Sequence, residues 1–327
     1  VIRNSLKASV AFGGVYVSWK NEFNANLSVS LYASDPIGDM ILYDIIYSNN
    51  PIGSHTFRGF DDSERNFRLR IKDRWGYYSA PLDTVLSPLL EEEIRSRDEF
   101  QKPIWSKYGL NDGSYIWRGD AIDSEPWTAM IDGILISRGV PLYNTSDNYL
   151  KSYIPNYESN NVACMPWYFT FDLGSEVSLS RHKMWMRGRN PNEAILASSH
   201  RYYQQGNPKY YEIWGTNKRP KQKSDFSSVE ESLSYWTAWP EIGGTDAWKN
   251  DWVKLAECAA LPPSGAVTSA ELVADDILYA DKGFEFDVFP EASGQEVRYV
   301  RMVVKEFWEK SFTKINIVEF KLYGAYR

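Results

Sequence analysis

The sequence predicts an all-β protein made of two β-sandwiches in succession. Apolar residues recur at every second position through most of the chain, and turn-forming clusters separate these runs. The alternation breaks once, in a charged stretch centred on residues 91–104. At 327 residues the chain is too long for one ordinary core and long enough for two.

In the N-terminal part, Val15, Val17 and Trp19 share one strand face, and Leu27, Val29 and Leu31 share another. Phe67, Leu69 and Ile71 alternate with Arg68, Arg70 and Lys72, the pattern of a half-buried antiparallel strand. Turns are expected at Asn21–Asn26, Asp35–Gly38 and Asn49–Pro51. Short strands so punctuated predict a small sandwich over residues 1–90. In residues 91–104, Glu91, Glu92, Glu93, Arg95, Arg97 and Asp98 form a run with no apolar face. A solvated linker or short helix is expected there, with an acidic contact site as the alternative.

Residues 105–327 return to strands. Trp167, Phe169 and Phe171 alternate with Tyr168, Thr170 and Asp172, and further strands are expected at 183–187, 210–214, 299–305 and 315–323. A helix is predicted from Asp275 to Lys282, with Gly283 suited to end it.

Composition narrows the function. With 43% hydrophobic residues the chain can bury large cores, which excludes disorder. Its 13 Trp and 22 Tyr suit sandwich cores and also surfaces where an apolar ring meets a polar ligand. A net charge of −7 argues against a nucleic-acid partner. Cys164 and Cys258, without a CxxC or Cys/His cluster, exclude a disulfide scaffold and a zinc ribbon. One bridge between them and two buried thiols both stay open. No apolar run reaches the ~20 residues that span a bilayer, and any export signal or lipid anchor is expected to have been removed. The chain carries no GxSxG, P-loop, HExxH or glycine-rich dinucleotide motif, so catalysis is not expected.

Six segments in order carry a family resemblance: Met130–Gly133, Trp167–Gly174, Met184–Arg187, Tyr211–Thr216, Val297–Arg301 and Ile317–Gly324. Residues 105–327 resemble the discoidin, F5/8 type C or galactose-binding-like family. Residues 1–90 resemble a fibronectin type III module, from Gly13–Trp19 to Asp73–Ser79. The pairing is similar to surface lipoproteins of gut Bacteroidetes thought to handle glycans. The resemblance implies a fibronectin III-like β-sandwich followed by a discoidin-type jelly roll whose apical loops bind ligands, often sugars. A fold does not by itself fix function.

The resemblance also points to residues. Arg187 and Asn192 are similar in spacing to an Arg and Asn that bind ring hydroxyls in sugar-binding relatives, and their donors suit a vicinal diol. Equally open is an Arg187 paired with an internal carboxylate beside a turn-forming Asn192. Trp117, Tyr202, Tyr203 and Trp308 fall in or beside expected loops, as ring walls of a cleft or as core and rim packing. Asp132 and Glu319 resemble the carboxylates of a family Ca2+ site, although Ile134–Ile136 departs from the small polar residues usual there. A turn aspartate and a surface glutamate are the alternative. We therefore expect a non-catalytic glycan- or glycoconjugate-binding protein, secreted or exposed at a bacterial outer membrane. The alternatives are a module binding protein or lipid through the same loops and, third, a glycan-active enzyme.

Overall fold

Alternating residues form antiparallel strands throughout both halves of the chain. The computed structural model describes residues 5–94, 102–103, 166–197, 200–221, 225–238, 240, 243–310 and 315–326. Two units divide the chain, Val1–Glu92 and Glu93–Arg327.

The first unit contains β1 (Lys7–Ala11), β2 (Gly14–Lys20), β3 (Leu27–Ser34), β4 (Met40–Ser48), β5 (Ile52–Arg58), β6 (Arg65–Asp73) and β7 (Leu82–Leu86). They form a three-stranded sheet, β1-β2-β5, and a four-stranded sheet, β4-β3-β6-β7. Val15, Val17 and Trp19 from the first sheet and Val29, Leu31, Phe67 and Leu69 from the second share one core. Burial of one face of β2 and of β6 fixes their register, because a one-residue slip would expose the whole apolar set. Gly53 lies against the Trp19 ring, where a Cβ would come within 2.2 Å.

The second unit adds β8 (Glu92–Ile94), β9 (Lys102–Pro103), β10 (Trp167–Met186), β11 (Pro208–Thr216), β12 (Val253–Ala259), β13 (Phe284–Asp287), β14 (Glu296–Phe307) and β15 (Ile317–Tyr326). Helix α1 spans Val229–Trp236 and α2 spans Ala274–Asp281. The sheet order is β12-β11-β14-β10-β15-β8, with β9 and β13 also pairing β10. Strand β10 changes partners along its length: its first half pairs β14 and its second half pairs β15 and β13. The change falls at a bulge after Asp172, where Gly174 adopts φ +78° and donates its amide to Asp172 Oδ1 at 2.9 Å. A bulge of this kind bends a strand from one layer into the next.

Two expectations from alternation are corrected. The stretch 91–104 is not wholly solvated: Glu92–Ile94 is a strand of the larger sheet, Ile94 is buried in its core, and Glu93 pairs with Lys321 at 3.2 Å. A single isoleucine among charges anchors the strand without producing a visible apolar face. Tyr168 and Thr170, placed by alternation on the polar side of β10, are also buried. Arg301 explains this. It is wholly buried, donates from Nη1 to Thr170 Oγ1 at 2.7 Å and from Nη2 to the Trp236 carbonyl at 3.0 Å. Its guanidinium lies 4.7 Å from the Tyr168 ring centre and 4.8 Å from those of Trp236 and Trp248. A cation enclosed by π-faces keeps favourable electrostatics without water.

Helix α2 lies within one residue of its predicted bounds at each end. Gly283 follows it at φ +80°, where a Cβ would also meet Trp185 at 2.5 Å, so both backbone and packing require glycine. Cys258 is a free buried thiol beside His182, and Cys164 lies outside the described residues.

Candidate functional site

The loop joining β10 to β11, residues 187–207, is held by side chains that the sheet and α2 position. Asn207 is fully buried at its end. Its Oδ1 accepts the Arg187 amide at 3.0 Å, and its Nδ2 donates to the carbonyls of Arg187 (2.9 Å) and Arg201 (2.7 Å). One amide side chain thus ties the loop's start to its end. Gly188 passes so close to Tyr202 that a Cβ would lie 2.0 Å from the ring.

Asp281, the last residue of α2, gathers the middle of the loop. Its Oδ2 accepts from Arg189 Nη2 at 2.7 Å and Nε at 3.2 Å, and its Oδ1 accepts from the Tyr202 hydroxyl at 2.5 Å. The hydrogen bond that Arg189 donates to Asp281 raises the Arg189 pKa against the opposing effect of burial. Arg189 Nη1 donates to the carbonyls of Pro191 and Glu193, each at 3.2 Å, so the turn carrying Asn192 is built around this guanidinium. Arg189 of this loop thus pairs with a carboxylate.

The structure distributes the predicted site residues as follows. Arg187 is part-buried at the end of β10, and Asn192 is exposed on the turn behind it. Trp308 is half-buried and packs edge-on against Tyr203, with ring centres 5.2 Å apart. Tyr202 and Tyr203 are corrected: at 1% and 3% exposure they are core residues and cannot wall an open cleft. The loop turns inward there, with Tyr203 and Gln205 in the left-handed region at φ +56° and +54°. Tyr203 then donates its hydroxyl to the Asp276 carbonyl at 3.0 Å, and burial pushes both phenols well above their ordinary range. Glu319 is no surface residue; it is buried on β15 opposite Trp185. Trp117 and Asp132 lie outside the described residues. Among the described residues no cluster of three or more His, Cys, Asp or Glu side chains could hold a metal ion.

One feature escaped sequence reasoning. Four buried polar atoms around this loop have no hydrogen-bond partner among the described residues: His200 Nδ1, Gln205 Oε1, Trp308 Nε1 and Asn316 Nδ2. Backbone bonds bring their segments together, from Trp308 to the Asn207 carbonyl (3.1 Å), Glu309 to Gln205 (3.0 Å) and Asn316 to Gly206 (3.0 Å). Burial, and then the nearby Arg201 charge, lowers the His200 pKa. Buried polar groups are nearly always paired, so a group of unpaired ones marks a place for water or ligand. No residue spacing in the sequence announces it, because residues 308–309 and 316 reach residues 205–207 only in the fold.

Comparison with known proteins adds the following. A family model described as a domain of unknown function, DUF5000, matches residues 146–324, and a second, DUF5126, matches residues 1–97. No curated protein matches the chain. Among solved structures, the SusE-like protein BT2857 is similar over 99% of this chain and 97% of its own, at 23% identity and a TM-score of 0.51. At that identity the likeness shows the fold. The lectin domain of lectinolysin complexed with Lewis B antigen covers 62% of this chain and 87% of its own, at 12% identity and a TM-score of 0.30. CBM32-3 from a family 31 glycoside hydrolase of Clostridium perfringens covers 50% and 69%, at 10% identity and a TM-score of 0.28.

Proposed function

This chain belongs to the DUF5000 family, and we propose that it is a non-catalytic glycan-binding protein exposed at a bacterial cell surface. The reading takes residues 105–327 as a discoidin-type jelly roll and residues 1–90 as a fibronectin III-like module, as the sequence motifs imply. A SusE-like fold over the whole chain supports it.

The observation that carries the proposal is the braced loop that presents part-buried Arg187 and exposed Asn192, with half-buried Trp308 tied to its end through Asn207. Sugar hydroxyls both donate and accept, which suits a guanidinium and an amide. Arg187 and Asn192 would bind ring hydroxyls, and the Trp308 ring would pack on a C–H face. Trp117 would join that wall. Tyr202 and Tyr203 support the loop from beneath. Few hydrogen bonds and one or two rings suit millimolar to micromolar affinity, roughly −4 to −8 kcal/mol. A glycan array followed by calorimetry of Trp308→Ala tests this: binding that survives the substitution undiminished rejects the site.

We also propose a structural Ca2+ ion held by Asp132 and Glu319. Calcium takes six to eight oxygens, so backbone carbonyls would supply the remainder. Among the described residues no helix is long and apolar enough to cross a membrane.

A further inference from the structure

The first unit carries an aromatic cleft that the proposed function does not use. In the first half of β3 the residues facing away from the core are Ser28 and Ser30, both small, before Tyr32 ends the low stretch. Register sets Ser28 between Tyr47 of β4 and Lys72 of β6, and Ser30 between Ile45 and Arg70. A low central row between two tall ones makes a trough, and the cleft there measures about 750 Å3. That volume falls in the range of small-ligand sites.

The walls are aromatic and open. Tyr47 is 83% exposed, Trp75 66% and Tyr78 51%, and all three line the cleft. Trp75 is held by its turn. Asp73 Oδ1 accepts the amides of Trp75 and Tyr77, each at 2.9 Å, and Gly76 completes the turn at φ +92°. The ring is therefore presented on a fixed backbone, which lowers the ordering cost of binding.

The rim is basic although the whole chain is acidic. Lys72 Nζ lies 5.2 Å from the Tyr78 ring centre and Arg74 Cζ 4.2 Å from that of Trp75. These cations rest on rings and form no ion pair among the described residues. At the next register position, Arg70 has a buried Nε without a hydrogen-bond partner. Asp73, the one acid lining the cleft, is engaged by two backbone amides. Rings suit the C–H faces of a sugar, and guanidinium and ammonium groups suit an anionic substituent.

We infer that this cleft is a second binding site, for an acidic oligosaccharide whose carboxylate or sulfate meets Lys72 and Arg74 while its rings pack on Trp75, Tyr47 and Tyr78. The site is independent of the Arg187 loop and stands whether or not that loop binds sugar. The test is calorimetry of the full chain against tetragalacturonate (carboxylate), a carrageenan-type sulfated galactan tetrasaccharide (sulfate) and neutral galactotetraose. At least one anionic probe should bind ten-fold or more tightly than the neutral one, and the arm that binds identifies the anion. Trp75→Ala and the double variant Lys72→Ala/Arg74→Ala, all at exposed or half-exposed positions, should each weaken it at least ten-fold. The inference is overturned if neither anionic probe binds, if galactotetraose binds equally well, or if affinity survives Trp75→Ala.

Discussion

Asp281 and Arg189 meet through one carboxylate oxygen, Oδ2, which accepts both Nη2 at 2.7 Å and Nε at 3.2 Å. The two side chains are about 10% exposed. The pair joins the end of α2 to the loop proposed to bind sugar, and Tyr202 completes the connection through Oδ1.

Removing one partner should therefore cost both stability and site geometry. Asp281→Ala leaves a largely buried guanidinium uncompensated, so urea unfolding should show a loss of about 3 kcal/mol. Tyr202→Phe removes only one hydrogen bond to a charged group and should cost ~1.5–3 kcal/mol. If Asp281→Ala unfolds at the wild-type midpoint, the pair does not hold the loop.

Acid should destabilise the second unit in two stages. His182 is buried between Phe286 and Phe320, and burial lowers its pKa from 6.5 to about 3. Folding keeps the ring neutral, so its contribution is fully present above pH 6.5 and declines as pH falls toward 3. Burial alone would raise the Glu212 pKa, but hydrogen bonds from Lys254, Lys305 and Trp214 prevail and hold it at about 2 against 4.5. That contribution is present above pH 4.5 and is lost as pH falls toward 2. Each group should add a slope of about 1.4 kcal/mol per pH unit within its window. Denaturant midpoints measured from pH 7.5 to 3 should show the first slope flattened in His182→Gln and the second in Glu212→Gln.

Legibility in the sequence followed how many faces of an element are buried. β6 buries one face, and β3 and β15 place polar residues such as Ser28, Ser30, Glu319 and Lys321 on their second face, so alternation located them within a few residues. At Tyr168 and Thr170 the positions that alternation marks as polar are buried, so alternation no longer separates core from surface. Arg187 was readable because a strand end dictates where a loop begins. Tyr202 and Tyr203 were not, because their burial depends on a left-handed turn and on partners more than 70 residues away in α2. The aromatic cleft escaped notice for a related reason: Tyr47, Trp75 and Tyr78 are scattered in sequence and converge only through the β3–β4 and β3–β6 registers.

The calcium proposal predicts a response to chelation. An ion bound only by the folded state raises the melting temperature by mass action. EDTA should lower the wild-type melting temperature and excess Ca2+ restore it, while Glu319→Gln should show neither effect. An unchanged wild-type melting temperature in EDTA removes the proposal.

The position of Ile94 predicts where the chain can be divided. A fragment of residues 93–327 keeps Ile94 in the core of the larger sheet, whereas one of residues 105–327 loses it along with β8 and β9. Burying one isoleucine stabilises by ~1.5–3 kcal/mol. The shorter fragment should unfold at lower urea by at least that amount, and a fragment of residues 1–92 should unfold cooperatively alone. Equal midpoints for the two longer fragments would show that β8 contributes nothing and that the sequence-based boundary at residue 105 suffices.

Arg187 gives the decisive prediction for the proposed function. Its backbone is fixed twice by Asn207, so the direction in which its side chain leaves the sheet is set before any ligand arrives. Pre-set donors bind without paying the ordering cost of a mobile loop. Asn192 sits on a turn braced by three carbonyl contacts to Arg189, which fixes it in the same way. A charged hydrogen bond is worth ~1.5–3 kcal/mol, so Arg187→Ala should weaken a glycan ligand by roughly ten-fold or more, and Asn192→Ala by less. Because Asn192 is exposed, its substitution should leave the melting temperature within about a degree of wild type, which separates a binding role from a structural one. Calorimetry of both variants against a glycan chosen from the array provides the measurement. Unaltered affinity in both, with folding intact by circular dichroism, would assign Arg187 to holding the loop and move the binding site elsewhere on the unit.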